Sequence, residues 1–176
     1  MRVGYTLIEV LVVVFIILLL TGGSLAAFGT FSKSSTLKQS GLNLKNTLRE
    51  AQSKAFTGEK DCTRCNCTDN DPTDDYTLIG WRVNFSDTSY TIYGTCKNPL
   101  PTPSYYPFPT KTISLPSDII IPTSVPKYVE FFYYPKMANR PDDNGNICLK
   151  QGSDYYKLYI EQSGNIVDSG VQSVCP

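Results

Sequence analysis

The sequence predicts an α+β fold in which one long N-terminal helix, apolar in its first half and amphipathic in its second, packs on an antiparallel β-sheet head. Three observations predict it. Every residue from Val10 to Leu20 is apolar, and low polarity continues through to Phe28. Leu37, Gly41, Leu44, Leu48, Ala51 and Ala55 then recur at spacings of 4, 3, 4, 3 and 4, with Lys and Gln between them, which sets them on one helical face. From Tyr76 onward, short runs rich in Tyr, Ile, Val and Thr are separated by turn residues, as strands are.

Taken in order, residues 5–28 form a helix of about 36 Å, enough to span the ~30 Å hydrocarbon layer of a bilayer. Residues 29–57 carry the amphipathic stripe, and Phe56-Thr57-Gly58 supplies the stop. An unbroken helix from Tyr5 to Thr57 is roughly 80 Å long. Gly22-Gly23 and Gly29 each lower helix propensity by about 1 kcal/mol relative to Ala. They mark either a place to bend or a surface of small residues for close helix packing. Residues 58–176 form the β-rich head.

Within the head, Tyr76–Phe85 and Ser89–Cys96 flank Ser86-Asp87-Thr88 as a hairpin. Thr112–Leu115 and Asp118–Ile121 are short strands, each ended by proline. Tyr128–Tyr134 and Tyr155–Glu161 are aromatic-rich strands, and Ser163-Gly164-Asn165 turns the latter into Ile166–Asp168. Asn144-Gly145 is a further hairpin signal before Ile147–Lys150. The stretch "NPLPTPSYYPFPT" (Asn98–Thr110) reads as a proline-punctuated loop, either a stiff connector over the sheet edge or a sticky aromatic surface. The chain has no internal repeat.

The 176 residues carry no formal net charge, which argues against a general nucleic-acid binder. The charge is uneven: Phe28 to Thr57 has a net of +4, and Gly58 to the end has −4. Histidine is absent, which removes the usual general base, the Ser-His and Cys-His nucleophile pairs and every His-containing metal site. No spacing of carboxylates suggests catalysis by acids alone. The expectation is a protein that is not an enzyme and needs no cofactor.

Glu9 is the anomaly of the N-terminal segment. A simple transmembrane anchor does not explain it, and neither does a secretory signal peptide cut after Ser24-Leu25-Ala26. A charge deep in a membrane helix costs roughly 2.5–3.5 kcal/mol on insertion scales and usually marks function. A free α-amino group, mostly protonated at neutral pH, would offset that cost. At ~4 Å and an effective dielectric near 20 the pair attracts by about 4 kcal/mol before desolvation. A second arrangement stays open: Glu9 can meet the positive end of its own helix.

The residues "GYTLIEVLVVV" (Gly4–Val14) resemble the class III signal of type IV pilins and type II secretion pseudopilins. The resemblance implies a 1–4 leader, cleavage between Gly4 and Tyr5 by a prepilin peptidase, and N-methylation of Tyr5. It makes Glu9 the assembly residue that pairs with the N-terminal amine of a neighbouring subunit. Tyr5 stands where the family usually has Phe, a mild departure that keeps the aromatic body. The segment "LKNTLREAQSKAFTGE" and the hairpin after it are loosely similar to the head of minor pilins and H-type pseudopilins. Together these likenesses cover about half the chain.

Six cysteines, Cys62, Cys65, Cys67, Cys96, Cys148 and Cys175, are an even number in a head that the resemblance places outside the cytoplasm, which favours disulfides. The resemblance suggests Cys148–Cys175 as a clamp on the C-terminal loop, with Cys96 joined to one of the clustered three. A four-thiolate zinc site from Cys62, Cys65, Cys67 and Cys96 is the rival, weakened because the cluster is a single tight C-x-x-C-x-C. Asp69–Asp75 and Asp142–Asn146 hold oxygen ligands, and some pseudopilins bind calcium, but neither stretch has EF-hand spacing. Both read as polar turns. Asn66-Cys67-Thr68 and Asn84-Phe85-Ser86 fit the glycosylation sequon weakly.

The function expected is that of a structural subunit of an extracellular type IV pilus-like filament, held in the inner membrane before assembly. The partners implied by the family are other copies of the chain in a helical homo-oligomer, prepilin peptidase, an assembly ATPase and a membrane platform protein. The alternative is a minor pilin or type II secretion pseudopilin acting in priming, tip binding or secretion. A third class is a secreted or anchored binding domain. DNA stacked on Tyr105, Tyr106 and Phe108 has little electrostatic support, because only Lys97 and Lys111 flank them.

Overall fold

The computed structural model describes residues 6–65, 76–98, 105–123, 125–133, 138–139 and 145–175. It is α+β, with helix α1 (Leu7–Thr57) followed by eight strands in two antiparallel sheets. The chain divides into two compact units, Met1–Thr36 and Leu37–Pro176, with the boundary inside α1. Helical structure continues through Gly22, Gly23 and Gly29; the side chains described on α1 are those of 7–21 and 31–57.

In the second unit α1 is built as its stripe dictates. Leu37, Leu44, Leu48, Ala51 and Ala55 are buried, while Lys38, Gln39, Asn46 and Arg49 point outward and are exposed. The helix ends where Gly58 adopts a left-handed φ of 70°. The Gly58 N–H donates to Ala55 O at 3.3 Å and the Glu59 N–H to Lys54 O at 3.0 Å. This pair of bonds is a Schellman closure, which satisfies two of the helix's last carbonyls.

The larger sheet has the order β3-β2-β1-β4-β5, with β1 (Thr77–Ser86), β2 (Ser89–Lys97), β3 (Tyr105–Ser114), β4 (Tyr128–Phe132) and β5 (Ala138–Asn139). Ser86 pairs with Ser89, so Asp87-Thr88 closes the expected hairpin in two residues. The smaller sheet is β6 (Asn146–Gln151), β7 (Asp154–Ile160) and β8 (Ile166–Gln172) in that order. The C-terminal half of the helix and both sheets share one apolar core, with Trp81, Val83, Ile92, Ile147, Leu149 and Leu158 fully buried. Trp81 also donates its indole N–H to Glu59 O at 2.9 Å and meets Phe108 edge-on.

Two readings of the head are corrected. Tyr105–Thr110 is not loop but the first part of β3, whose register slips between Ile92 and Tyr93 opposite Lys111 and Pro109. An edge strand with a bulge is where a sheet tolerates prolines such as Pro107. Asp118–Ile121 is not a strand: only Ile120 bridges, to Lys150, because Pro116 and Pro122 bracket the segment and turn it. The strand after Gly145 pairs with β7 through the Gly152-Ser153 turn; the Asn144-Gly145 hairpin signal falls at the edge of the described residues. Asn144 itself lies outside the described residues.

Candidate functional site

The first unit offers a surface rather than a pocket. Along α1 the thirteen large apolar residues at 7, 8 and 10–20 are all exposed, from 47% at Val12 to 84% at Leu7. β-Branched residues (Val10, Val12, Val13, Val14, Ile16, Ile17) stiffen this stretch, and apolar side chains point in every direction around it. The largest apolar patch on a typical soluble monomer is about 300–600 Å² and often functional. A helix apolar on all sides is one whose surface is meant to be covered.

Glu9 is the one charge on this stretch. It lies in the first turn of α1, exposed, with its N–H donating to Thr6 O at 3.1 Å. There the carboxylate faces the positive end of the helix dipole, worth about 0.3–1 kcal/mol at an exposed site. Gly4 and Tyr5, the expected cleavage and methylation positions, lie outside the described residues. Among the described residues no helix is long and apolar enough to cross a membrane. The described apolar stretch ends at Thr21, and the side chains of 22–28 lie outside the description.

The second unit is tied together by groups that the sequence did not announce. Lys45 Nζ on α1 donates to Asp168 Oδ2 on β8 at 2.9 Å, and the Tyr156 hydroxyl on β7 donates to the same oxygen at 2.8 Å. The Gly170 N–H donates to Asp168 Oδ1 at 3.0 Å. Burial alone would push the Asp168 carboxyl up. The Lys45 and Tyr156 hydrogen bonds, the Gly170 N–H and the Lys45 charge outweigh it and hold the carboxyl below its ordinary value. Burial, then the bond to Asp168 and its charge, push the Tyr156 phenol well above its ordinary value. Tyr90 is raised by burial against the opposing effect of its bond with Thr47.

Two disulfides lie wholly among the described residues of the head. Cys65 joins Cys96, across 31 residues, and Cys148 joins Cys175, across 27. Cys62 is also disulfide-bonded, and Cys67 lies outside the described residues. Sulfurs committed to disulfides are not thiolates, so the four-thiolate zinc alternative is set aside. Among the described residues no group of His, Cys, Asp and Glu is placed to hold a metal ion. Asp69–Asp75, Asn66-Cys67-Thr68 and Asp142–Asn144 lie outside the described residues. Exposed Tyr105 and Tyr106 stand on edge strand β3, with the Tyr106 ring centred 4.9 Å from that of Tyr76.

Comparisons with protein-family models, with curated proteins and with solved structures find no match.

Proposed function

We propose that the chain is a structural subunit of a type IV pilin-like extracellular filament. In this reading a prepilin peptidase cuts between Gly4 and Tyr5, the new Tyr5 amine is methylated, and subunits assemble through α1. The observation that carries it is the helix apolar on all sides with one carboxylate, Glu9, in its first turn. In the filament neighbouring helices cover the apolar surface. Glu9 selects the register by pairing with the terminal amine of the next subunit. Before assembly the apolar surface rests in the inner membrane, which requires residues 22–28 to extend the apolar segment past Thr21. An assembly ATPase and a membrane platform protein drive insertion, and no chemistry is asked of the chain itself.

A second reading, a minor pilin or type II secretion pseudopilin at a filament tip, is favoured by the concave outer face of the head, lined by Arg82, Asn84 and Tyr128. Abundance in sheared filaments separates the two.

The test begins with intact mass and N-terminal sequence of the protein from its native envelope. Methylated Tyr5 as the first residue is expected; Ala27 or Met1 as the first residue would overturn the reading. As sole subunit, Glu9→Val is expected to be inserted and cleaved but to lower filament yield at least tenfold. Normal yield would sink the intersubunit pairing.

A further inference from the structure

The outer face of the five-stranded sheet carries a concavity. Along β1, Trp81 and Val83 turn into the core, so Arg82 and Asn84 turn to the opposite face. The register sets Arg82 between Tyr93 and Glu130, and Asn84 between Thr91 and Tyr128. The described residues following β3 run past the β1–β2 hairpin end of the sheet. Among them the Ile121 N–H donates to Asp87 O at 2.8 Å, and the Phe85 N–H donates to Lys127 O at 2.9 Å. Ile121 and Val125 anchor the segment with buried side chains. Between segment and sheet lies a concavity of about 470 Å³, within the range of small-ligand sites.

Its chemistry is specific. Arg82 is spent as a charge: its Nη2 donates to both Glu130 oxygens at 3.2 and 3.1 Å, and its guanidinium stacks on the Tyr128 ring at 4.1 Å. Among the described residues, two buried polar atoms nevertheless have no partner, Arg82 Nε and Asn84 Oδ1. One is a donor and the other an acceptor, two residues apart on one strand and so roughly 7 Å apart along it. Both residues line the concavity. Buried groups left unpaired are rare in folded proteins and call for an explanation. At the rim, Asp87 and Lys127 are exposed and of opposite sign, and Arg82 is paired with Glu130, so the described walls hold no cluster of like charge for an ion.

We propose that this concavity binds a neutral saccharide. A saccharide carries several hydroxyls along its ring, each both donor and acceptor, so one can accept from Arg82 Nε–H while another donates to Asn84 Oδ1. The Tyr93 and Tyr128 rings give the apolar C–H face of a sugar ring a surface to lie on. With Arg82 already paired and Lys127 offset by Asp87, the walls offer no cationic cluster for a sialylated, sulfated or phosphorylated ligand. The site belongs to the head and does not rest on the filament reading.

The test uses the full chain, unassembled, in a zwitterionic detergent that carries no sugar headgroup. Maltotriose, triacetylchitotriose, lactose and 2′-fucosyllactose are titrated by calorimetry and by saturation-transfer NMR, with 3′-sialyllactose and a heparin disaccharide as charged comparators. At least one neutral sugar is expected to bind with a Kd below the millimolar range. Asn84→Ala is expected to weaken it tenfold or more with an unchanged circular dichroism spectrum. Tyr93→Leu, at a half-buried ring, gives the same loss and serves if the first variant does not fold. Binding of none of the neutral sugars, tighter binding of the charged ones, or binding untouched by a folded variant would overturn the proposal. N-terminal processing is read separately, so either proposal can fail without the other.

Discussion

Gly41→Ala is a substitution for which local and tertiary reasoning predict opposite signs. On an exposed helix the change stabilises by about 1 kcal/mol, because Ala is the better helix former. Here a Cβ at Gly41 would lie 2.1 Å from Tyr156 Cδ1, 2.3 Å from Cγ and 2.4 Å from Cε1. Ordinary contact begins near 3.4 Å, so the Tyr156 ring must retreat by about 1.3 Å. The ring is held in place: it is 2% exposed, and its hydroxyl donates to Asp168 at 2.8 Å. Overpacking a core costs about 1–3 kcal/mol. Stretching a hydrogen bond to a charged acceptor forfeits part of about 1.5–3 kcal/mol. Against the ~1 kcal/mol of propensity, the net is a destabilisation of about 2 kcal/mol, or roughly 5–10 °C in Tm. Thermal melts of the disulfide-intact chain, followed by circular dichroism, measure it. In a Tyr156→Ala background the penalty should vanish and the helix gain should emerge. A raised Tm for Gly41→Ala in the otherwise unchanged chain would refute the packing argument.

The Asp168 cluster gives a pH prediction. Its carboxyl is held low in the folded chain, so the stability it contributes is present above the unfolded value of about 3.9 and is lost as pH falls through the lower folded value. Asp168→Asn should therefore cost about 1–3 kcal/mol at pH 7 in urea titrations and flatten the acid limb below about pH 4. An acid limb as steep as that of the unchanged chain would count against it. Replacing Cys148 and Cys175 together by Ser removes a cross-link over 27 residues and should cost about 3–4 kcal/mol on the loop-entropy account. An unchanged urea midpoint would show that the C-terminal segment is held by its packing alone.

What the sequence made legible was whatever repeats locally. The 4-3-4-3-4 stripe identified the buried face of α1 residue by residue, and Gly58 marked its end, because helical periodicity and capping need only neighbours a few residues apart. Glu9 was legible for the same reason, as one polar residue against an uninterrupted apolar run. The edge strand β3 was not, because its prolines speak against a strand unless the bulge and the open edge are already known. Least legible were contacts closed only by tertiary structure: Lys45 meets Asp168 across 123 residues, and nothing in either neighbourhood names the other. The same holds for the outer face of the sheet. Asn84 looked like a weak sequon, and nothing in the sequence singled out Arg82. Only the β1–β4 register, with Ile121, Pro122 and Val125 brought beside it, sets them as an acceptor and a donor without partners among the described residues lining one concavity. The two proposals thus differ in kind: the assembly helix rests on a local pattern that the fold leaves exposed, and the saccharide site on a juxtaposition that only the fold creates.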